Sequence, residues 1–222
     1  MPPRPSQSPN RGAQQYEISR RNAYESVLAG AWLQAENSLA SIAHDGRFAL
    51  KDWTTLATAR YRLNQVGPMG EAARKALELD PQDFKAAHLF TMSMMLQHRW
   101  AEALPWFERH RAGESRTHYQ FLSNHAATLS QLSRPREAIP LYLGAVVLQP
   151  AGPAIHIQLG LGFKALKMFE EAAESFLTAH VLDPRRFAAH LMVLHMRQYA
   201  CVWQDFDAQQ AAIVQAMREL DE

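Results

Sequence analysis

The strongest constraint on the fold is an internal repeat. Two consecutive segments, 117–150 and 151–184, are equal in length and each ends in proline. They carry a small residue, an aromatic ring, a second small residue and the proline in matching columns: Ala138 and Ala172, Tyr142 and Phe176, Ala145 and Ala179, Pro150 and Pro184. A period of about 34 residues predicts stacked structural units, each of which packs on its neighbours.

Each unit is predicted to be a hairpin of two helices. In the last full unit, Ala172, Phe176 and Ala179 recur at i, i+4 and i+7, which is the spacing of one helix face. Small residues such as Gly160 on the preceding helix let the two helices approach closely, and the aromatic ring fills the remaining space. Pro184 ends the second helix, because proline disfavours helical geometry in the residue before it.

The same columns, traced backwards with one inserted residue, define five units. Their expected ranges are 16–49, 50–83, 84–118, 119–152 and 153–186. Residues 1–15 contain four prolines and no apolar run, so we expect a disordered tail. Residues 187–222 start as another first helix, but no second helix of the repeat type follows. We expect a capping helix and then a linker-like segment. The segment ends in a helix whose apolar stripe is Ala212, Ile213, Ala216, Met217 and Leu220.

Composition narrows the function classes. The chain has 23 Lys and Arg against 22 Asp and Glu, a net charge of +1, which argues against a nucleic-acid binder driven by bulk charge. One cysteine excludes an intrachain disulfide. The uncharged stretch 138–163 is interrupted by Pro140, Pro150 and Pro153, which argue against a membrane span. With no secretory signal in the sequence, we expect a cytoplasmic protein with no membrane partner.

The repeat resembles the tetratricopeptide repeat (TPR). The small–aromatic–small–proline ending of each unit and the phrase KALELDP at 75–81 carry the resemblance, which extends over positions 16–186. It implies an all-α fold, a right-handed α-solenoid of about five helical hairpins with C-terminal capping helices. In such a solenoid the first helices line a concave groove that binds peptides or partner segments.

Mapping the inward stripe of each first helix onto this sequence predicts a mixed groove with an adaptable apolar floor and scattered positive charge. The predicted groove residues are Lys51, Thr54, Thr58, Tyr61, Lys85, His88, Met92, Met95, Gln120, Ser123, Asn124, Ala127, Ile157, Leu161 and Lys164. The set lacks the dense Lys, Asn and Arg side chains that clamp a C-terminal carboxylate. A mixed groove is typical of peptides read partly by shape.

A second resemblance lies after the repeats. Cys201, Trp203, Asp205, Phe206 and Asp207 are similar to the segment that joins the repeats to the catalytic domain in SPINDLY-type O-linked N-acetylglucosamine transferases. Val202 departs from that segment, where the family usually carries an acidic residue. The resemblance implies a substrate-recruiting repeat region, with the catalytic lobes beyond Glu222. The family's groove often carries an asparagine ladder; here only Asn124 matches, and the other ladder positions are Thr55, Leu89 and Gln158.

No motif for catalysis or cofactor binding is present. The ten histidines lack ligand spacing, and each is expected to be solvated or to line the groove. Cys201 is expected to be a buried structural residue, and Glu170, Glu171 and Glu174 a solvated helix face. We therefore expect no catalytic residue, cofactor or metal in this chain.

Two functions remain open. One is a non-catalytic module that binds a protein or peptide, associated with a protein O-GlcNAc-type glycosyltransferase as a catalytic partner or domain. The other is an assembly, secretion or chaperone-type adaptor unrelated to glycosylation, which would use the same repeat fold.

Overall fold

The computed structural model describes residues 9–202 together with 207, 208, 210, 211, 214 and 215. Over this part of the chain it contains eleven α-helices, and a short 3₁₀ helix at Gly113–Thr117. The α-helices are α1 Pro9–Leu28, α2 Trp32–Ile42, α3 Leu50–Arg62, α4 Val66–Leu79, α5 Phe84–Leu96, α6 Trp100–Arg109, α7 Tyr119–Gln131, α8 Pro135–Leu148, α9 Pro153–Ala165, α10 Phe169–Leu182 and α11 Phe187–Tyr199. The predicted all-α fold of helical hairpins is confirmed.

The helices divide between two compact units. The N-terminal unit spans Met1–His110 and the C-terminal unit spans Arg111–Glu222. Within the first, α3 with α4 and α5 with α6 form hairpins after the pair α1 and α2; within the second, α7 pairs with α8 and α9 with α10. The helices α3, α5, α7 and α9 begin at the first residues of the four predicted units after the first.

The turns inside the hairpins share one backbone geometry. Each contains a residue of positive φ, between 56° and 71°, whose N–H donates to the carbonyl three residues earlier, while the next N–H donates to the carbonyl five residues before itself. This is the Schellman ending of a helix. The six residues are spaced by 34 or 35 positions: Gly30, Asn64, His98, Ser133, Lys167 and Cys201.

The turn at Cys201 repeats the geometry of the other five. Cys201 N–H donates to Gln198 O and Val202 N–H to Arg197 O, in the pattern of those turns. Helix α11 therefore ends as the first helices of the preceding hairpins do, and the cap with a linker-like segment over 187–222 stays a prediction. The predicted stripe of the final helix, residues 212, 213, 216, 217 and 220, lies outside the described residues.

Close contact within a hairpin depends on the predicted small residues. Phe176, Ala172 and Ala179 are fully buried. A Cβ atom added to Gly160 would lie 2.9 Å from the Phe176 ring, inside van der Waals contact. The glycine therefore allows α9 to rest directly on the ring of α10, as predicted from the sequence.

The N-terminal tail prediction is wrong over residues 9–15, which form the start of α1. Helix α1 is fixed by Asp52 of α3, a completely buried carboxylate. Its oxygens accept from Arg20 Nε at 2.8 Å, Tyr24 Oη at 2.6 Å and Ala49 N at 2.9 Å, while Tyr16 Oη donates at 2.9 Å to a backbone carbonyl. Burial would raise the pKa of Asp52, but these hydrogen bonds outweigh it and lower the pKa. The number of prolines does not reveal that hydrogen bonds to Asp52 hold this helix in place. Residues 1–8 lie outside the described part.

Among the described helices, none is both long and apolar enough to cross a bilayer.

Candidate functional site

The first helices of the C-terminal unit present an accessible surface. On α7, Gln120 is exposed, and Ser123, Asn124 and Ala127 are partly buried. On α9, Leu161 is 41% exposed and its neighbours one turn away, Ile157 and Lys164, are partly buried. The predicted groove residues of this unit are thus all at the surface.

A cleft of about 450 Å³ lies between α7 and α9, at the ends nearest the hairpin turns. Apolar and amide groups share its lining: Ser130, Gln131, Ser133, Pro135, Gln158, Leu161, Gly162 and Ala165. Leu161 and Pro135 supply apolar surface. Gln131 and Gln158 are exposed and can each donate and accept hydrogen bonds.

The cleft is electrostatically neutral. Helix α7 carries no Lys, Arg, Asp or Glu, and α9 carries only Lys164. A ligand there meets apolar contacts and amide hydrogen bonds, and charged side chains of a ligand would lose water with little compensation. The cleft is suited to an aliphatic side chain flanked by peptide groups.

In the N-terminal unit the first helices carry the remaining predicted residues. Lys51, Tyr61 and Lys85 are exposed, whereas those partly buried are Thr58, His88, Met92 and Met95. Thr54 does not belong to this surface, because it is buried and its hydroxyl donates to the Lys51 carbonyl at 3.1 Å. It was assigned from helix spacing alone, which does not reveal how neighbouring helices cover α3.

Tyr24 of α1 joins this surface. The Lys51 Nζ atom lies 4.9 Å from the centre of the Tyr24 ring, a cation–π contact. Burial, together with the hydrogen bond that the Tyr24 hydroxyl donates to Asp52, raises the pKa of Tyr24 to about 12, so the ring stays uncharged beneath the lysine.

Sequence reasoning missed Tyr24, Gln131 and the cleft role of Gln158. Tyr24 lies one repeat before Thr58, so the repeat register could have found it had the first unit been mapped. Gln158 lies one repeat after Asn124, and Gln131 lies one turn beyond Ala127. Their convergence on one cleft depends on how α7 and α9 pack, which the register does not give.

Three histidines contradict the expected solvated or groove-lining positions, since His110, His125 and His156 are buried. His110 has ring nitrogens 2.9 Å from Trp106 O and 3.1 Å from Pro81 O, and His156 Nε2 lies 2.8 Å from Pro150 O. His110 thus links the end of α6 to the segment after α4, and His156 links α9 to the segment after α8. Within the described residues no cluster of three or more His, Cys, Asp or Glu could hold a metal ion.

His125 has the strongest electrostatic consequence. Burial, with smaller contributions from Arg111 and Arg134, lowers the pKa of His125 to about 4. Its ring is therefore neutral at physiological pH, which excludes it as a cationic contact for a partner.

Cys201 is exposed, contrary to the expected buried structural role, because it occupies the left-handed position of a hairpin turn. Glu170, Glu171 and Glu174 lie on the first turns of α10 and are all exposed, in line with the predicted solvated face. Of the transferase-like segment, Trp203, Asp205 and Phe206 lie outside the described residues.

Solved structures place this fold among TPR proteins. The chain is similar to MamA MSR-1, with 19% identity over 77% of this chain and 98% of that one and a TM-score of 0.68. It is also similar to YrrB, described as a TPR protein with an unusual peptide-binding site, with 18% identity over 80% and 91% and a TM-score of 0.69. No protein-family model and no curated protein sequence matches the chain. At these identities the likeness establishes the fold.

Proposed function

We propose that this protein is an interaction module, without chemistry of its own, that binds a segment of a protein partner in the cleft between α7 and α9. The observation that carries the proposal is the neutral cleft of about 450 Å³, in which exposed Leu161 lies among amide side chains. Apolar surface combined with a few polar groups in a concave site is typical of ligand binding, and Leu161 supplies the apolar part here. We place the interaction in the cytoplasm.

The chemistry of the cleft defines the bound segment. One aliphatic side chain of the partner would enter between Leu161 and Pro135. Gln131 and Gln158 would pair with the partner's backbone, which gives affinity without strict sequence dependence. YrrB, a TPR protein with a peptide-binding site by its description, supports a peptide-binding role for this fold.

Selection from a phage-displayed random peptide library tests the proposal. We expect enriched peptides to contain an aliphatic residue in an uncharged stretch. Their affinity should fall about 10–100-fold for Leu161→Asp, since an aliphatic contact is lost and a charge is left in the cleft. Val181→Glu is the matched control, because Val181 is 69% exposed on α10 and does not line the cleft. Equal loss in both variants, or no loss for Leu161→Asp, would refute the assignment.

The link to a glycosyltransferase remains a prediction. It rests on residues 201–207, of which Cys201 and Val202 form a hairpin turn like the other five. An adaptor role unrelated to glycosylation would use the same cleft. Reading the DNA beyond codon 222 and the adjacent gene separates the two, because a glycosyltransferase catalytic domain in either place favours recruitment of substrates.

A further inference from the structure

Helix α8 has an unusual solvent face. Pro140, Leu143 and Val147 lie on one side of the helix at i, i+3 and i+7, and all three are exposed, Val147 by 80% and Leu143 by 46%. We call these three residues the α8 stripe. Every exposed or partly buried residue of α8 after Glu137 is apolar, so no polar side chain interrupts the stripe.

The equivalent positions on α4, α6 and α10 include charged residues. Helix α4 has Glu71, Arg74 and Glu78 there, α6 has Glu108 and α10 has Glu174. The repeat fold itself therefore does not require apolar residues at these positions. The α8 stripe begins five residues after Pro135, the α8 residue that lines the cleft.

We propose that the α8 stripe is the contact between two copies of this chain, packed antiparallel about a two-fold axis. In a two-fold interface each residue near the axis meets a copy of its own neighbourhood, so any charge there would face a like charge. Residues 138–163 contain no Lys, Arg, Asp or Glu, which satisfies this requirement.

The register follows from the positions of the stripe residues. An antiparallel pair centred between Leu143 and Gly144 sets Pro140 of one copy against Val147 of the other, twice. The two copies of Leu143 then flank the axis and pack beside one another. Arg136 and Glu137 fall opposite positions near 150–151, which are uncharged, so the ends of the contact bring no like charges together.

Equilibrium sedimentation of the full chain tests the dimer. We expect the mass to rise from 25.1 kDa towards about twice that value with concentration. Val147→Glu should weaken the dimer at least about 100-fold, because two valine contacts are lost and two carboxylates are buried. Val181→Glu is the matched control: it makes the same change one repeat later at a position of similar exposure, and should leave the dimer intact.

A cross-link tests the register independently of the charge variants. Leu143→Cys combined with Cys201→Ser should form a disulfide-linked dimer on mild oxidation, since the two copies of position 143 flank the axis. Val181→Cys in the same background should not. A chain that stays monomeric at several hundred micromolar overturns the proposal, as does a dimer that survives Val147→Glu or fails to cross-link through position 143. A monomer whose α8 stripe binds a vesicle or another protein would also count against the dimer. None of these results bears on peptide binding in the cleft.

Discussion

Acidification should destabilise the C-terminal unit through one residue, His125. Its side chain is 5% exposed on α7, and burial with two nearby arginines lowers its pKa from 6.5 to about 4. The folded unit therefore holds the neutral ring, while the unfolded chain takes up a proton as the pH falls through 6.5. Because the folded pKa of a base is depressed, stability is highest above pH 6.5 and is lost as the pH falls.

The size of the effect follows from the two pKa values. A difference between 6.5 and about 4, at about 1.4 kcal/mol for each pH unit, gives a limit of about 3 kcal/mol. At about pH 4.5 most of this, about 2.5 kcal/mol, is already lost. Since domains are stable by only about 5–15 kcal/mol, such a loss is readily measured.

The assay compares the natural chain with His125→Gln, which cannot take up the proton. Urea unfolding followed by hydrogen exchange of α7 and α8 gives the free energy of unfolding of this region at pH 7 and about pH 4.5. The variant is less stable at pH 7, and the difference between the two chains should shrink by about 2.5 kcal/mol on acidification. Exchange of α3 and α4, in the N-terminal unit, serves as the internal reference. Parallel loss in both chains would refute the reasoning.

Four further substitutions test the packing and the turn geometry. Gly160→Ala should lower the unfolding free energy by about 1–3 kcal/mol in urea titrations, since its Cβ meets the Phe176 ring. Gly144→Ala, which makes an ordinary 3.4 Å contact, should be neutral or gain up to about 1 kcal/mol; equal losses would contradict the packing. Asp52→Asn should cost about 2–4 kcal/mol and expose the amides of α1 to exchange first, and unchanged α1 protection would contradict the anchoring role. Lys167→Gly should stabilise by about 0.5–1 kcal/mol in thermal melts because its φ is +61°, whereas a lower midpoint would show that lysine is unstrained there.

The helices could be predicted because each repeat marks its own ends. Prolines close the second helices at Pro150 and Pro184, and the small and aromatic columns fix which faces meet. The positions of the hairpin turns could not be predicted from glycine, since five of the six left-handed residues are not glycine. The six turns share a spacing of 34 or 35 residues and the same backbone hydrogen bonds, and no single residue type marks them.

The surface was predictable only as far as helix periodicity determines exposure. Periodicity identified Leu161 and Lys51, yet it placed Thr54 on the surface, although the residue is buried. It also left His125 solvated, although the residue lies on the buried side of α7. Both errors have the same origin: helix spacing indicates which residues share a face, whereas which faces are covered depends on how the helices pack.

The two proposed contacts in the C-terminal unit use different helices of the same hairpins. The cleft is lined mainly by first helices α7 and α9, and the α8 stripe begins five residues after Pro135, the α8 residue of the cleft, so a substitution on one need not disturb the other. Leu161→Asp should weaken peptide binding about 10–100-fold in a chain that still dimerises, and Val147→Glu should give a monomer that still binds peptide. If dimerisation holds, each particle carries two clefts, and a partner with two binding segments would be held more tightly by the dimer than by the Val147→Glu monomer. A tandem peptide that binds both forms with equal affinity would show that the two clefts of a dimer cannot be spanned by that linker.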